Sequence, residues 1–335
     1  MEQNDISVLI KTNADEAYDR LSKKFISIRA ILVQILKNCT IEFNDITLSD
    51  ISSYIHERYL DSNGKNILSG NTEDETIPGA KIIYDVLFEA RVPGKEDETI
   101  IVNVELQGTD QKSYVLLRRA IYYAVRLLDR QKNSSEGFQN SEFNKLKKVY
   151  SIWICMNHTN EKNNTIKYYT ITEKGNGKYK SPKEDYDLMS VVMIYVNKKY
   201  DYDEDDRSLD RLLHIILGKD LNAQQKKEYL EKDYGILISE EEEKEVEEMC
   251  DLSLGLRMEA MQEGLVKGKL EGLAEGKIEG KLEGIAEGKI EGRLESTILH
   301  VKNLMKKIPN ISMQEAMDIL EIEENLRDQV EEALQ

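Results

Sequence analysis

Carboxylate and amide side chains occur in two neighbouring segments where a metal-assisted reaction could use them. In the β-rich run 99–107, the polar residues Asn103, Glu105 and Gln107 alternate with apolar ones. Successive side chains of a strand point to opposite faces, so these three share one face. Asp85 interrupts the preceding β-rich run in a similar way. Two carboxylates that face one pocket from adjacent strands suit a hard divalent cation, which prefers oxygen ligands. The pattern predicts a metal site at Asp85 and Glu105, with Gln107 beside it.

The simpler interpretation is that each carboxylate is a solvated strand residue, because charged side chains are seldom buried without a partner. The choice depends on whether the sheet is covered on both faces. Residues 149–155 form a continuous apolar run, which is typical of a strand covered on both faces. In such a sheet Glu105 and Gln107 are costly to bury without partners, and this favours a functional site.

The elements around these residues indicate an α/β fold. Pro93-Gly94 and a charged turn separate two β-rich runs, which predicts an antiparallel hairpin. Apolar residues recurring every three or four positions predict the helices. The resulting order predicts helices packed around a small mixed sheet. The predicted helices are 14–38, 46–59, 112–132, 209–217, 223–231 and 296–307, and the predicted strands are 81–90, 99–107, 149–155, 166–173 and 190–196.

Charge is distributed unevenly along the 335 residues. The chain has 46 Lys and Arg against 63 Asp and Glu, a net charge of −17. Residues 236–335 hold 25 acidic and 12 basic residues, which leaves 38 and 34 in residues 1–235. Positive and negative charges are therefore nearly balanced in residues 1–235. That balance is compatible with a basic groove for nucleic acid, although the net charge gives no positive support for one.

Apolar runs, the N-terminal residues and the cysteines all bear on where the protein is located. No apolar run approaches the ~20 residues of a membrane span, and the N-terminus lacks the layout of a signal peptide. The three cysteines are odd in number and far apart, which argues against a disulfide framework. We expect a cytoplasmic protein that does not enter a membrane.

The C-terminal region is repetitive. Glycine occupies every fourth position from Gly264 to Gly292, eight in all, among Glu, Lys, Leu and Ile. Each interior glycine costs a helix about 1 kcal/mol relative to alanine, so an isolated helix would be marginal. We interpret the repeat as a helical spacer or an oligomerisation arm, and predict a homo-oligomer. A capping box at Ser312 and Glu315 predicts a helix start in the tail. The predicted domains are 1–235 for the α/β core, 236–262 for an acidic helical linker, 263–295 for the repeat arm and 296–335 for a small helical tail.

At these residues the chain resembles the PD-(D/E)XK nuclease superfamily, and within it the Rpn-type recombination-promoting group, also called PD-(D/E)XK nuclease family transposases. The resemblance rests on Asp85, on Glu105-Leu106-Gln107 after a hairpin, and on the following helix. That group shows Glu-x-Gln in place of Glu-x-Lys, and its members often end in Glu-Gly-x-x repeats. The resemblance covers roughly 10–235 and the style of the tail, and Tyr84 stands where the superfamily's proline would precede the Asp. The helix of that group carries a basic residue, a Tyr-Tyr pair and a distal Gln, which here are Arg118 or Arg119, Tyr122-Tyr123 and Gln131.

The resemblance implies a restriction-endonuclease-like core with an α-helical C-terminal extension, and a Mg²⁺-dependent DNA endonuclease linked to mobile elements or recombination, with Mn²⁺ as an alternative ion. Asp85, Glu105 and the carbonyl of Leu106 would hold the metal, and Gln107 would orient the attacking water. Because the Gln107 amide is neutral, charge stabilisation would fall on the metal and on an arginine. A first-helix carboxylate often joins such a site. The implied substrate-binding residues are Arg118, Arg119, Tyr122, Tyr123 and Gln131, the further basic candidates are Lys112, Arg126 and Arg130, and the candidate first-helix carboxylates are Glu16 and Asp19.

Two other hypotheses remain open on the sequence. One is a nuclease fold that has lost activity and serves as a binding or assembly module, which the missing lysine and the acidic balance favour. The other is a helical scaffold with an incidental α/β head. The pair Tyr122-Tyr123 also has a structural interpretation, in which it packs its helix against the sheet.

Overall fold

The computed structural model describes residues 2–68, 73–74, 81–134, 137–199 and 206–335. The chain forms two compact units, Met1–Met258 and Glu259–Gln335. Within the described ranges, no helix combines the length and apolarity needed to cross a bilayer.

The first unit begins with helices, continues with strands that have helices between some of them, and ends with helices. The helices are α1 (Glu2–Ile26), α2 (Arg29–Cys39), α3 (Leu48–Tyr54), α4 (Leu116–Asp129), α5 (Lys183–Tyr186), α6 (Leu209–Leu217), α7 (Ala223–Tyr234), α8 (Glu240–Lys307), α9 (Met313–Ile319) and α10 (Glu324–Leu334). The strands are β1 (Glu73–Asp74), β2 (Ile82–Ile83), β3 (Val86–Arg91), β4 (Thr99–Thr109), β5 (Val149–Asn157), β6 (Thr165–Thr170) and β7 (Met189–Tyr195).

Five of these strands form one mixed sheet in the order β3-β4-β5-β7-β6. The pair β3–β4 is antiparallel, β4, β5 and β7 are parallel, and β6 runs antiparallel to β7. The predicted hairpin and small mixed sheet are therefore confirmed. Val86 pairs with Val104, so Asp85, one residue before β3, lies opposite Glu105.

Helices cover the sheet on both faces. On one face, apolar residues of α1, α2 and α6 pack against side chains such as Val104 and Ile152. On the other, α4 packs against Leu87, Val149 and Trp153. Residues 149–155 are buried throughout, as their apolar run predicts. The polar residues of β4 lie on the face that α4 covers, which is why their burial demands an explanation.

The single helix predicted over 14–38 is wrong, because the chain breaks at Ile28. This residue has an extended backbone, with φ −62° and ψ 125°, and it forms a β-bridge with Asn66. The carbonyl of Ser27 accepts the N–H of Ile67 at 2.9 Å. The apolar period continues across the break because both helices bury their apolar face in the same core, so spacing alone does not reveal the interruption.

The strand predicted over 81–90 is also divided. β2 ends before Tyr84 and pairs antiparallel with β1, outside the five-stranded sheet. The Tyr84 ring is buried and packs edge-on against Tyr123 of α4, with ring centroids 5.5 Å apart. Asp85 therefore sits at a junction between two short strands rather than inside one strand.

The second unit consists of the later part of α8 with α9 and α10. A small core forms around Val301, Met317 and Val330. The predicted capping box is confirmed: the Ser312 N–H donates to Glu315 Oε2 at 3.0 Å, and the Glu315 N–H donates to Ser312 Oγ at 3.2 Å. The short helix predicted over 296–307 is instead the last part of α8, which runs without interruption for 68 residues.

Candidate functional site

Strand pairing brings the two predicted metal-binding carboxylates together. Glu105 projects from β4, and Asp85 precedes β3 directly opposite it. The Asp85 N–H donates to Glu105 Oε1 at 3.3 Å, and the Leu106 N–H donates to Asp85 Oδ2 at 2.9 Å. The two side chains are therefore tied to each other's strand, and their positions are fixed by the backbone of the hairpin.

Both carboxylates are buried enough to disfavour their charged forms. Glu105 is 1% exposed, and burial, with the nearby charge of Asp85, raises its pKa to about 8. Burial also raises the pKa of Asp85, against the opposing effect of Lys23. Two adjacent carboxylates in an apolar surrounding repel each other. A cation at this point would relieve both the burial and the repulsion.

Lys23, on the last turns of α1, is a site residue that the sequence interpretation missed. Its ammonium lies 3.0 Å from Asp85 Oδ1 and 2.6 Å from an oxygen of Asp19. These two carboxylates raise the pKa of Lys23, although burial alone would lower it. Asp19 and Lys23 stand four residues apart, which places both on one helix face. That spacing was the available signal, but it does not reveal what the face contacts.

The contact through Lys23 distinguishes the two candidate carboxylates of the first helix. Asp19 and Asp85 both contact the ammonium of Lys23. Glu16 lines the adjoining cleft. That cleft has a volume of about 720 Å³ and runs between α1, the end of β4 at Gly108 and Thr109, and the end of α6. Its size falls within the ~300–1,000 Å³ typical of ligand-binding clefts.

The amides of β4 occupy the same face as Glu105. Gln107 is buried, and its side chain makes no hydrogen bond within the described part of the chain. Asn103 is close enough to Glu105 to favour its charged form, yet neither polar atom of its amide makes a hydrogen bond of ordinary geometry with a described residue. Buried polar groups are normally satisfied. The unsatisfied amide of Asn103, with the Gln107 amide on the same face and two carboxylates beside them, indicates a site that binds water or a polar ligand.

Arg119, near the beginning of α4, is the second cation of the region. Its guanidinium donates to the hydroxyls of Tyr114 and Tyr123 at 3.0 and 2.6 Å. It stacks 4.9 Å from the centroid of Tyr123 and 5.5 Å from that of Trp153. The positive charge of Arg119 partly offsets the rise in the pKa of Glu105, although the two side chains form no direct ion pair. Arg119 thus lies close to the carboxylates but is held by aromatic side chains.

The structure does not gather all of the implied substrate-binding residues at the carboxylates. Arg118 and Tyr122 are exposed on α4, whereas Tyr123 is buried and packs the helix against the sheet. Gln131 lies twelve residues after Arg119, about 18 Å along the helix direction at 1.5 Å per residue. Its amide is bound to backbone groups of Leu127 and Lys147. Of the set, Arg119 and Tyr123 are the two that neighbour the carboxylates.

The donors present fit Mg²⁺ better than a transition metal. Within the described residues, no three His, Cys, Asp or Glu side chains converge as a metal site. Mg²⁺ needs fewer protein ligands, because it usually retains several waters and binds one or two carboxylates together with substrate phosphates. Asp85 and Glu105 provide that number of hard oxygen donors, and the unsatisfied amide of Asn103, with the amide of Gln107 on the same face, could bind the associated water.

Comparison of the chain with known protein families, with curated proteins and with solved structures finds no match in any of the three. The site consists of the buried Glu105 on β4 and the part-buried Asp85 before β3, a lysine that bridges Asp85 and Asp19, two amides and a nearby arginine.

Replacing Glu105 with glutamine should change how stability depends on pH. Folded Glu105 keeps its proton up to about pH 8, whereas the unfolded side chain loses it near pH 4.3. The folded state therefore binds more protons between these values, and wild-type stability falls as the pH rises through that range. Glu105→Gln should remove this contribution, on the order of 2–4 kcal/mol between pH 5 and 8.

The chain contains a single tryptophan, and Trp153 is buried beside the site, so its fluorescence during urea unfolding measures the first unit. The exposed Glu98, on the same hairpin, provides the matched control Glu98→Gln. Parallel pH profiles for wild type and Glu105→Gln would contradict the prediction.

Proposed function

We propose that this chain is a metal-dependent DNA endonuclease with a restriction-endonuclease-like core, acting in recombination or on mobile elements. The observation that carries the proposal is the pair of carboxylates, the part-buried Asp85 and the buried Glu105, held opposite each other by the hairpin backbone. Lys23 compensates the charge of Asp85, but among the described residues Glu105 has no ion-pair partner. Burying such a carboxylate beside a second one is unfavourable unless a cation is bound there, so a purely structural hairpin has no need for the arrangement.

Each residue of the site has a role in phosphodiester hydrolysis under this proposal. Asp85 and Glu105, with the carbonyl of Leu106, hold Mg²⁺, which when bound lowers the pKa of water and stabilises charge on a phosphate. Gln107 has both a donor and an acceptor, so it can orient the attacking water but adds no charge. Arg119 contributes positive potential from the beginning of α4.

The adjoining cleft is the proposed path for the DNA. It meets the site at Asp19 and continues past Gly108, Thr109 and two lysines, Lys198 and Lys219. Lysine side chains at such positions bind phosphates without regard to sequence. The proposal therefore includes backbone binding along the cleft, and it specifies no sequence preference.

The direct test is cleavage of supercoiled plasmid by the full chain, with Mg²⁺ added or removed by EDTA. We expect nicked and linear products only with the metal. The double variant Asp85→Asn, Glu105→Gln, which keeps the shape of both side chains, should give none, while Glu98→Gln should match the wild type. Equal nicking by wild type and the double variant would indicate a contaminating nuclease and would overturn the proposal.

A second proposal concerns the repeat arm, residues 263–295. The glycines are all within α8, and along this arm the apolar side chains are exposed. Eight glycines weaken the helix by about 1 kcal/mol each relative to alanine, so association would stabilise it by burying the apolar positions. We propose that copies of the chain self-associate through this arm. The exposed apolar residues are Leu265, Val266, Leu270, Leu273, Ile278, Leu282, Ile285 and Ile290.

Charged substitutions on the arm should separate the copies. The triple variant Leu270→Lys, Ile278→Lys, Leu282→Lys should reduce the mass measured by light scattering to that of one 38.6 kDa chain. A control with Lys269→Gln, Lys277→Gln and Lys281→Gln alters neighbouring positions without removing apolar area. It should retain the wild-type mass. A wild type that is already monomeric, or a triple variant of unchanged mass, would contradict the proposal.

A further inference from the structure

We propose that Lys23 supplies the positive charge that the neutral Gln107 lacks, and that its ammonium binds a non-bridging oxygen of the phosphate being cleaved. This inference rests on the proposed endonuclease function and assigns a residue of α1 to the reaction. Its basis is the position of Lys23 between Asp19 and Asp85.

The contacts of Lys23 leave it able to bind a further oxygen. An ammonium has three donors, and the structure uses them toward two carboxylates, at 2.6 Å to Asp19 and 3.0 Å to Asp85. The side chain is one-third exposed, so the remaining direction is open to solvent. A phosphate placed at Asp85 would meet a lysine that is already held in position, which lowers the entropic cost of binding it.

The other cations near the site are engaged elsewhere. Arg119 is bound by two tyrosine hydroxyls, and Arg126 is buried in an ion pair with Asp74. Arg118 is exposed on α4. Among the described residues, Lys23 is the one cation in ion-pair contact with either carboxylate of the site.

The charge of the site also requires a cation from outside the hairpin. Asp19, Asp85 and Glu105 are acidic, and β4 presents only the amides of Asn103 and Gln107 on that face. A lysine at position 107 would bring the charge from the strand itself. Here the same charge arrives from the helix, so residue 107 and residue 23 are predicted to be exchangeable in function.

The test compares Lys23→Met with the wild type and with Lys24→Met. Lys24 is the adjacent residue, is exposed and pairs with Glu245, so it controls for removing a lysine from this turn. Lys23→Met should lower kcat for plasmid cleavage about 10²- to 10³-fold, the usual effect of losing one transition-state contact, with KM within threefold. Adding Gln107→Lys to Lys23→Met should raise kcat at least tenfold above that of Lys23→Met alone.

Isothermal titration with Mn²⁺ gives a second measurement that does not depend on activity. Because the Lys23 ammonium competes with a metal for Asp85, Lys23→Met should bind Mn²⁺ at least tenfold more tightly than wild type, and Lys24→Met should not. Lys23→Met with kcat within threefold of wild type would overturn the proposal. If the wild type does not cleave DNA, the endonuclease assignment fails, and the Mn²⁺ titration alone tests the position of Lys23. Tighter Mn²⁺ binding by Lys23→Met than by wild type supports a place for Lys23 at the cation site. Unchanged Mn²⁺ binding, or none, overturns it.

Discussion

Alanine at Asp85 or at Glu105 is expected to reduce Mg²⁺-dependent DNA cleavage by at least about 10³-fold. Each carboxylate would supply one of the two charged ligands of the metal, beside the carbonyl of Leu106. The metal's stabilisation of the reaction is worth several kcal/mol, at about 1.4 kcal/mol per tenfold in rate. The backbone tie between the two residues adds to the effect, because losing Asp85 also frees the Leu106 N–H.

Single-turnover cleavage with excess enzyme measures this loss in the chemical step. Glu98→Ala, an exposed substitution on the same hairpin, should leave the rate within twofold. DNA binding in Ca²⁺, followed by fluorescence anisotropy, should persist in the alanine variants. A variant that retains more than one-tenth of the wild-type rate would exclude its carboxylate as a metal ligand.

Arg126→Met is expected to lower the free energy of unfolding by about 3–5 kcal/mol, because it removes the arginine that is ion-paired with the buried Asp74 carboxylate. Arg126 and Asp74 form an ion pair at 2.9 Å, and their side chains are 2% and 0% exposed. The arginine was a candidate for stabilising the reaction, but its burial against Asp74 gives it a structural role between α4 and β1.

Arg118→Met on the exposed side of the same helix is the matched control, and it should change the free energy of unfolding by no more than about 0.5 kcal/mol. Adding Asp74→Asn to Arg126→Met should recover a large part of the loss, because it removes the buried negative charge that Arg126 pairs with in the wild type. Trp153 fluorescence during urea unfolding measures all three variants. An Arg126→Met protein as stable as the Arg118→Met protein would contradict the prediction.

Local patterns were sufficient to predict the hairpin and the meeting of its carboxylates. Alternation along β4 fixes the face of Glu105, and the turn at Pro93-Gly94 fixes the strand that pairs with it. The apolar run 149–155 correctly indicated a covered sheet, which made the burial of Glu105 foreseeable. The two carboxylates of the hairpin are twenty positions apart, and the apolar run is itself a local pattern of seven residues.

The remaining parts of the site depend on contacts between distant residues. Lys23 reaches Asp85 across 62 positions only because α1 packs beside the hairpin, and no periodicity in either segment encodes that packing. The division at Tyr84 has the same origin, since the ring turns toward Tyr123 of α4. Sequence spacing also does not show that the Gln131 amide is bound to the backbone of Lys147, sixteen positions further along the chain.

The interruption at Ile28 ties the segment around Asn66 to the end of α1 that bears Lys23. The bridge from Ile28 to Asn66 and the bond from the Ile67 N–H to Ser27 begin four to five residues beyond that lysine. An ordinary surface loop tolerates inserted residues well. Here a deletion, rather than an insertion, between Asp61 and Asn66 would pull on this anchor, so shortening a segment remote from the site would displace the Lys23 ammonium from Asp85.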